Sequence, residues 1–337
     1  MKNAFSARHG VRAIMLAGIA AFALGASQQA TRADDQKTLA VVVKVAGDPW
    51  WARMEVGLNE FAAANPGVRI FMQGVSQADG ALQAQLIEDI IAQKVNALGI
   101  VPISPQTLEP VIAKAREAGI KVVTHEGETQ PTKDFDVEAF DNADYGRHLM
   151  EGLAQRMGGE GEYAVFVGKL TNVSHNQWVD AAIEYQKQKY PNMKLVGDKN
   201  ESNEDAATAY RKTQELLVAY PNIKGFQGSS SNDAVGIGQA VEEAGLQDKT
   251  VVVGTSLVSL AGNLLKTGAV DEISFWDPKD AGKAISSVAL RLLNGETVKD
   301  GDDLGVGGYN KVTVKDNVIK GAAWIDVTKD NMGDYNF

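Results

Sequence analysis

Short apolar, β-branched runs recur along this 337-residue chain, separated by longer segments of mixed polarity. The first series is LAVVVK (39–44), VRIFMQ (68–73), ALGIV (97–101), KVVTHE (121–126) and FDVEAF (135–140). A second series follows: YAVFVG (163–168), KLVGDK (194–199), KGFQGS (224–229), TVVVGT (250–255) and DEISFW (271–276). Continuous apolar runs of this length fit strands covered on both faces. The intervening segments have helical periodicity; in 79–95, Leu82, Leu86, Ile90 and Ile91 recur at helical spacing. Strands alternating with helices predict βαβ units and a parallel sheet.

Punctuation agrees with this reading. Asn65-Pro66-Gly67, Gly119 and Tyr190-Pro191-Asn192 each stop a helix shortly before the next strand. Tyr220-Pro221-Asn222 repeats the device about one βα period later. Twisted open sheets rarely exceed ~10 strands, so two lobes of about five to six strands are expected. The break is expected at Phe140-Asp141-Asn142, before a helix over 142–157. Residues 278–294 read as a further helix and 309–327 as a β-rich closing segment, so the C-terminal region is shared between the lobes.

The first residues follow a different logic. Lys2, Arg8 and Arg12 precede an apolar stretch at 13–26, and Thr31-Arg32-Ala33 offers a small-residue cleavage site. That order predicts a secretory signal peptide over 1–33. Its apolar core is shorter than the roughly 20 residues of a spanning helix. The chain has no cysteine, which excludes a lipid-anchored lipoprotein and any disulfide. The formal charge of −10 becomes more negative once the basic signal is removed, which argues against nucleic acid and anionic membranes as partners.

Catalytic signatures are missing. His125, His148 and His175 lack zinc-type spacing, and no nucleophile elbow, P-loop or dinucleotide fingerprint occurs. No catalytic residue, metal ligand or cofactor is expected. The polar residues collect instead at predicted strand ends, where parallel α/β sheets bind ligands. Lys44, Asp48, Trp50 and Trp51 follow the first strand, and His125, Glu126 and Glu128 follow the fourth. A dense set, Ser174, His175, Asn176, Gln177 and Trp178, follows YAVFVG. Ser229 to Asp233, including Asn232, follow KGFQG, where helix capping competes as an explanation. Thr255 and Ser256, and then Trp276 and Asp277, close the series. Aromatic rings cover the apolar face of a sugar, while carboxylates, amides and lysine bond its hydroxyls.

These features together resemble the periplasmic sugar-binding proteins of ABC importers, in the ribose-binding-like group. The resemblance rests on GDPWW, VVTHEGE, FDNADYG, SNDAVGIGQA and VVVGTS in their order and spacing, and covers essentially the whole mature chain. Lys44, 174–181 and the 275–277 turn look like the autoinducer-2-binding and rhamnose-binding subgroup. Where that subgroup has an Asp-Gln pair this chain has Ser174 and His175; Ser229 and Ser231 replace its Pro-x-Ala, and Ser256 replaces the ribose-type Asp. The resemblance implies a type I periplasmic binding protein, α/β, with two doubly wound parallel-sheet lobes joined by a three-segment hinge. It implies lobes of 37–140 with 277–310, and 141–276 with 311–337. It also implies capture of a sugar, polyol or similar small hydroxylated ligand and delivery to an ABC permease, without chemistry on the ligand. The ligand-binding candidates are Lys44, Asp48, Trp50, Trp51, Glu126, His175, Gln177, Asn232, Trp276 and Asp277. The alternatives are autoinducer-2-type signal binding, presentation to a chemoreceptor or sensor kinase, and a secreted carbohydrate-active enzyme using Glu126 with Asp277.

Overall fold

The structure is a computed structural model that describes residues 36–337. The expected signal peptide lies outside the described residues. Strands and helices alternate as the apolar pattern predicts. The first series is β1 (Lys37–Val45), α1 (Pro49–Ala64), β2 (Val68–Val75), α2 (Gly80–Ala92), β3 (Ala97–Ile100), α3 (Pro105–Glu117), β4 (Lys121–His125) and β5 (Phe135–Glu138). The second is α4 (Asn142–Met157), β6 (Glu160–Val167), α5 (Val173–Lys189), β7 (Asn192–Leu195), β8 (Asn200–Glu201), α6 (Ala206–Ala219), β9 (Ile223–Gly228), α7 (Ser231–Glu243), β10 (Val251–Thr255), α8 (Val258–Thr267) and β11 (Glu272–Phe275). The chain ends with α9 (Pro278–Leu293), β12 (Thr313–Lys315), β13 (Val318–Lys320), β14 (Ile325–Val327) and a single 3-10 turn.

Two sheets result. The first runs β12-β13-β5-β4-β3-β1-β2 and the second β14-β11-β10-β9-β6-β7, with β8 on β6. The parallel strands of both sheets follow the doubly wound order 2-1-3-4-5, which leaves a crevice at the carboxyl ends where the winding reverses. In the first sheet this point lies between β1 and β3, and in the second between β6 and β9. Each lobe therefore turns its ligand-competent edge toward the other. Leu39–Lys44 of β1 are buried without interruption, as a strand covered on both faces requires.

The chain passes between lobes three times: at 139–141 after β5, at Trp276-Asp277 before α9, and at 321–324 between β13 and β14. Helix α9 packs on α1, β3 and β4, so it belongs to the first lobe.

Four expectations need correction. Residues 313–320 do not join the second lobe, because β13 pairs in parallel with β5 of the first sheet. Only β14, antiparallel to β11, continues the second sheet. The sheets carry more strands than five to six, because the two-residue β8 leaves no apolar pattern to read and the β-rich closing segment adds the short β12–β14 to the two sheets. The run KLVGDK is split: β7 ends at Leu195 and β8 begins at Asn200. Finally, α2 buries Gln83, Ile87 and Ile90, while Leu82 is exposed. Gln83 is turned inward because it has work for both ends of its amide. Its Nε2 donates to the Val101 carbonyl at 2.8 Å and its Oε1 accepts from Ile103 N–H at 2.9 Å. That ties down the carboxyl end of β3 beside β1.

Several helix pairs touch through glycine, α1 with α9 and α4 with α5 among them. A methyl group on Gly57 of α1 would lie 1.9 Å from the Lys279 carbonyl oxygen of α9, and one on Gly146 of α4 would lie 2.2 Å from the Trp178 carbonyl oxygen of α5. Gly57→Ala and Gly146→Ala should each lower stability by about 1–3 kcal/mol through overpacking. Urea unfolding of the two variants measures this, and unchanged midpoints would show that the helix pairs yield without cost.

Candidate functional site

The carboxyl ends of the two sheets enclose one cavity. Its lining includes Lys44, Asp48, Trp50, Trp51 and Glu126 from the first lobe, and His175, Trp178, Glu204, Ser229, Ser231 and Thr255 from the second, with Trp276 at a crossing. The space left in it is small, about 30 Å³.

Local sequence explains how each group is placed. Lys44 is carried to the end of β1 by the apolar strand behind it. Asp48 caps α1, its Oδ1 accepting the Trp50 N–H at 2.8 Å, and Pro49 starts the helix. Trp50 and Trp51 thus sit in the first turn of α1, and Trp178 sits within α5; of the strand-end tryptophans only Trp276 lies in a connection. Glu126 follows β4 with φ of 57°, and Glu204 follows β8 with the same value. Left-handed backbone is uncommon for glutamate, and such conformations cluster at functional sites.

The charges pair across the cleft. Lys44 Nζ lies 2.7 Å from Glu126 Oε2 and 3.6 Å from Glu204 Oε1. Ser174 Oγ donates to Glu126 Oε2 at 3.2 Å, and Ser230 Oγ donates to Glu204 Oε2 at 2.6 Å. Burial disfavours both glutamates' charge, but the Lys44 ammonium prevails, holding Glu126 down at about 2 and Glu204 below its ordinary value. Burial likewise opposes the Lys44 charge, and the two glutamates outweigh it, so its pKa is raised. Asp48 is different: burial raises its pKa despite the hydrogen bonds from Trp50 and Asn232. His175 is pushed down to about 4 by burial and by Lys44. The Gly168 N–H donates to His175 Nδ1 at 3.1 Å, which requires a free lone pair there and fixes the neutral ring with its proton on Nε2.

The aromatic part is continuous. Trp50 meets Trp276 edge-on with centroids 4.7 Å apart, and Trp276 meets Trp178 at 5.9 Å. Phe140, at the first crossing, lies 5.3 Å from Trp276 and stacks on Tyr145 at 4.1 Å. Trp276 Nε1 and Ser229 Oγ are buried without a partner.

Seven of the ten sequence candidates line the cavity: Lys44, Asp48, Trp50, Trp51, Glu126, His175 and Trp276. Asn232 stands behind it, its Nδ2 donating to Asp48 Oδ2 at 2.8 Å and to the Glu204 carbonyl at 3.1 Å. Two candidates lie elsewhere. Asp277 caps α9 and holds Arg53 in a bidentate pair, Nε–Oδ1 2.8 Å and Nη2–Oδ2 2.6 Å. Gln177 bonds Asn142 at 2.8 Å and Glu128 at 3.2 Å, beside the first crossing. Sequence reasoning missed Glu204 and passed over Trp178, Ser229, Ser231 and Thr255 as contacts. The polar cluster Glu201-Ser202-Asn203-Glu204-Asp205 ahead of α6 is the signal that could have found Glu204.

Comparison with known proteins adds a lineage. The profile of the periplasmic binding protein domain family matches residues 39–297. The chain is 29% identical over 263 residues to the D-allose-binding periplasmic protein of Escherichia coli K12, covering 75% of this chain and 82% of that protein. It is 25% identical over 287 residues to the xylitol-binding protein of Mycolicibacterium smegmatis, covering 84% and 79%. Its fold matches an ABC transporter solute-binding protein from Clostridium phytofermentas solved with L-rhamnose, with a TM-score of 0.81, 22% identity, and coverage of 89% and 98%.

His175 has a measurable consequence. Its pKa falls from 6.5 in the unfolded chain to about 4 on folding, so the unfolded chain binds the proton first. The stabilisation is complete above pH 6.5 and is lost as pH falls toward 4, about 3 kcal/mol across the window. His175→Asn keeps an acceptor for Gly168 N–H and should remove this part of the pH dependence. Denaturant unfolding between those pH values tests it, and identical slopes for both proteins would contradict a buried neutral ring.

Proposed function

The chain belongs to the periplasmic binding protein domain family, and from that premise we propose that it captures a sugar or polyol between its lobes and delivers it unchanged to an ABC permease. The observation that carries this reading is the cavity itself. It lies between two lobes, draws its lining from both, and combines tryptophan rings with charged hydrogen-bonding groups. Rings suit the C–H face of a sugar, and ionised partners bond hydroxyls more strongly than neutral ones. The relatives named for D-allose and xylitol support a small hydroxylated ligand.

Lys44, Asp48, Glu126, His175 and Glu204 are the proposed polar contacts, with Trp50, Trp51, Trp178 and Trp276 as the apolar walls. Asn232 orients Asp48. Asp277 and Gln177 hold the hinge region instead of the ligand. The lining is drawn from both lobes, so entry requires the lobes to part and binding ends with their closure. Closure is the signal the permease reads.

The proposed role is binding without turnover. Glu126 is locked ionised by Lys44, and Asp277 is committed to Arg53, so these two carboxyls do not form an acid–nucleophile pair. Presentation to a chemoreceptor or sensor kinase is the alternative use of the same closure. Growth on the ligand separates the two, since deletion of the permease abolishes growth only where transport is the role.

A thermal-shift screen across pentoses, hexoses, deoxysugars and polyols tests the proposal. A true ligand at 100 times its dissociation constant stabilises by about 2.7 kcal/mol. Trp50→Leu keeps the position apolar while removing the ring face, and should weaken that ligand about tenfold. Failure of every compound to raise the melting temperature overturns the reading.

A further inference from the structure

The cavity is unbalanced in charge. Three carboxylates, Asp48, Glu126 and Glu204, line it against a single ammonium, Lys44. Among the described residues no arginine contributes to the lining. His175 brings no positive charge, because its Nδ1 accepts the Gly168 N–H. Lys44 is already engaged, 2.7 Å from Glu126 and 3.6 Å from Glu204. Asp48 takes hydrogen bonds from Trp50 N–H and Asn232, both uncharged donors.

Acceptor capacity is left over. An ionised carboxylate offers about four lone-pair sites. Both hydrogen bonds that Glu126 accepts, from Lys44 and Ser174, end on Oε2, while His125 Nε2 lies 3.8 Å from Oε1. Ser229 Oγ, 1% exposed, lines the cavity without a partner. Four tryptophans surround this anionic space, and indole faces are the aromatic surfaces that attract cations best. A neutral ligand closing the cleft would bury the negative excess uncompensated, which is costly in a low-dielectric site.

We infer that the ligand carries a protonated amine: an amino sugar, an aminoalditol or a related cationic polyhydroxylated compound. This rests on the proposed sugar or polyol site and narrows it. The hydroxyls use Lys44 and Ser229, the ammonium uses Glu204 and Asp48, and the rings cover the carbon skeleton.

The test pairs each amine with its hydroxyl parent at pH 7. The probes are D-glucosamine with D-glucose, D-galactosamine with D-galactose, and 1-amino-1-deoxyalditols of four to six carbons with their alditols. Calorimetric titration of the whole protein should give at least one amine roughly tenfold tighter than its parent. Glu204→Gln removes one charge at constant shape. It should erase most of that preference while changing the parent's affinity less, a difference that mere loss of packing would not produce. Parents that bind as well as or better than every amine overturn the inference and leave the sugar reading standing. A preference unchanged in Glu204→Gln also overturns the assigned partner. Binding by neither class overturns both readings.

Discussion

One buried ammonium organises this molecule. Lys44 is 3% exposed, and an unpaired charge so placed would cost several kcal/mol. It answers that cost with Glu126 of its own lobe and Glu204 of the other. The second contact exists only while the lobes are together. The electrostatics of the site and the closed arrangement of the protein are therefore one problem. Asp48 and Asn232 repeat the device in a milder form, joining α1 to α7 with a hydrogen bond of 2.8 Å.

The fold was legible because covered parallel strands advertise themselves as unbroken apolar runs. Most of the site was legible for the same reason: a lysine or a Gly-Asp-Pro-Trp-Trp turn that ends such a run lies at the crevice. Failures follow from where that logic stops. Glu204 comes after a two-residue strand, too short to carry a pattern, and its left-handed backbone has no sequence signature. Asp277 stands at a strand end as Glu126 does, but its role depends on Arg53, 224 residues away in sequence. Gln177 lies between His175 and Trp178, yet the helical turn points it at Asn142 and the crossing. The hairpin at 313–320 reads correctly as β, while its lobe is set by pairing with β5, which no local pattern encodes.

The tryptophans also have a double character. Trp50, Trp178 and Trp276 belong to the hydrophobic core that runs through both lobes, and they line the cavity as well. Core membership holds the rings rigid, so a ligand that meets them finds surfaces already ordered. Rigid walls lower the entropy cost of binding, since little side-chain freedom remains to be lost. The polar groups are equally constrained: Glu126, Glu204 and His175 each have fixed partners before any ligand arrives.

The three crossings, at 139–141, 276–277 and 321–324, are all short. An extended residue spans only about 3.5 Å, so the lobes cannot drift apart along such tethers. What remains is a swing about the line through them. Points on that axis hardly move, while points far from it sweep the longest arcs. Trp276 lies within the second tether and Phe140 within the first, so this aromatic patch forms a stationary floor. Glu204 and Asn232 lie on the swinging side and leave Lys44 and Asp48 when it moves. The cleft therefore has a fixed palm and a moving finger.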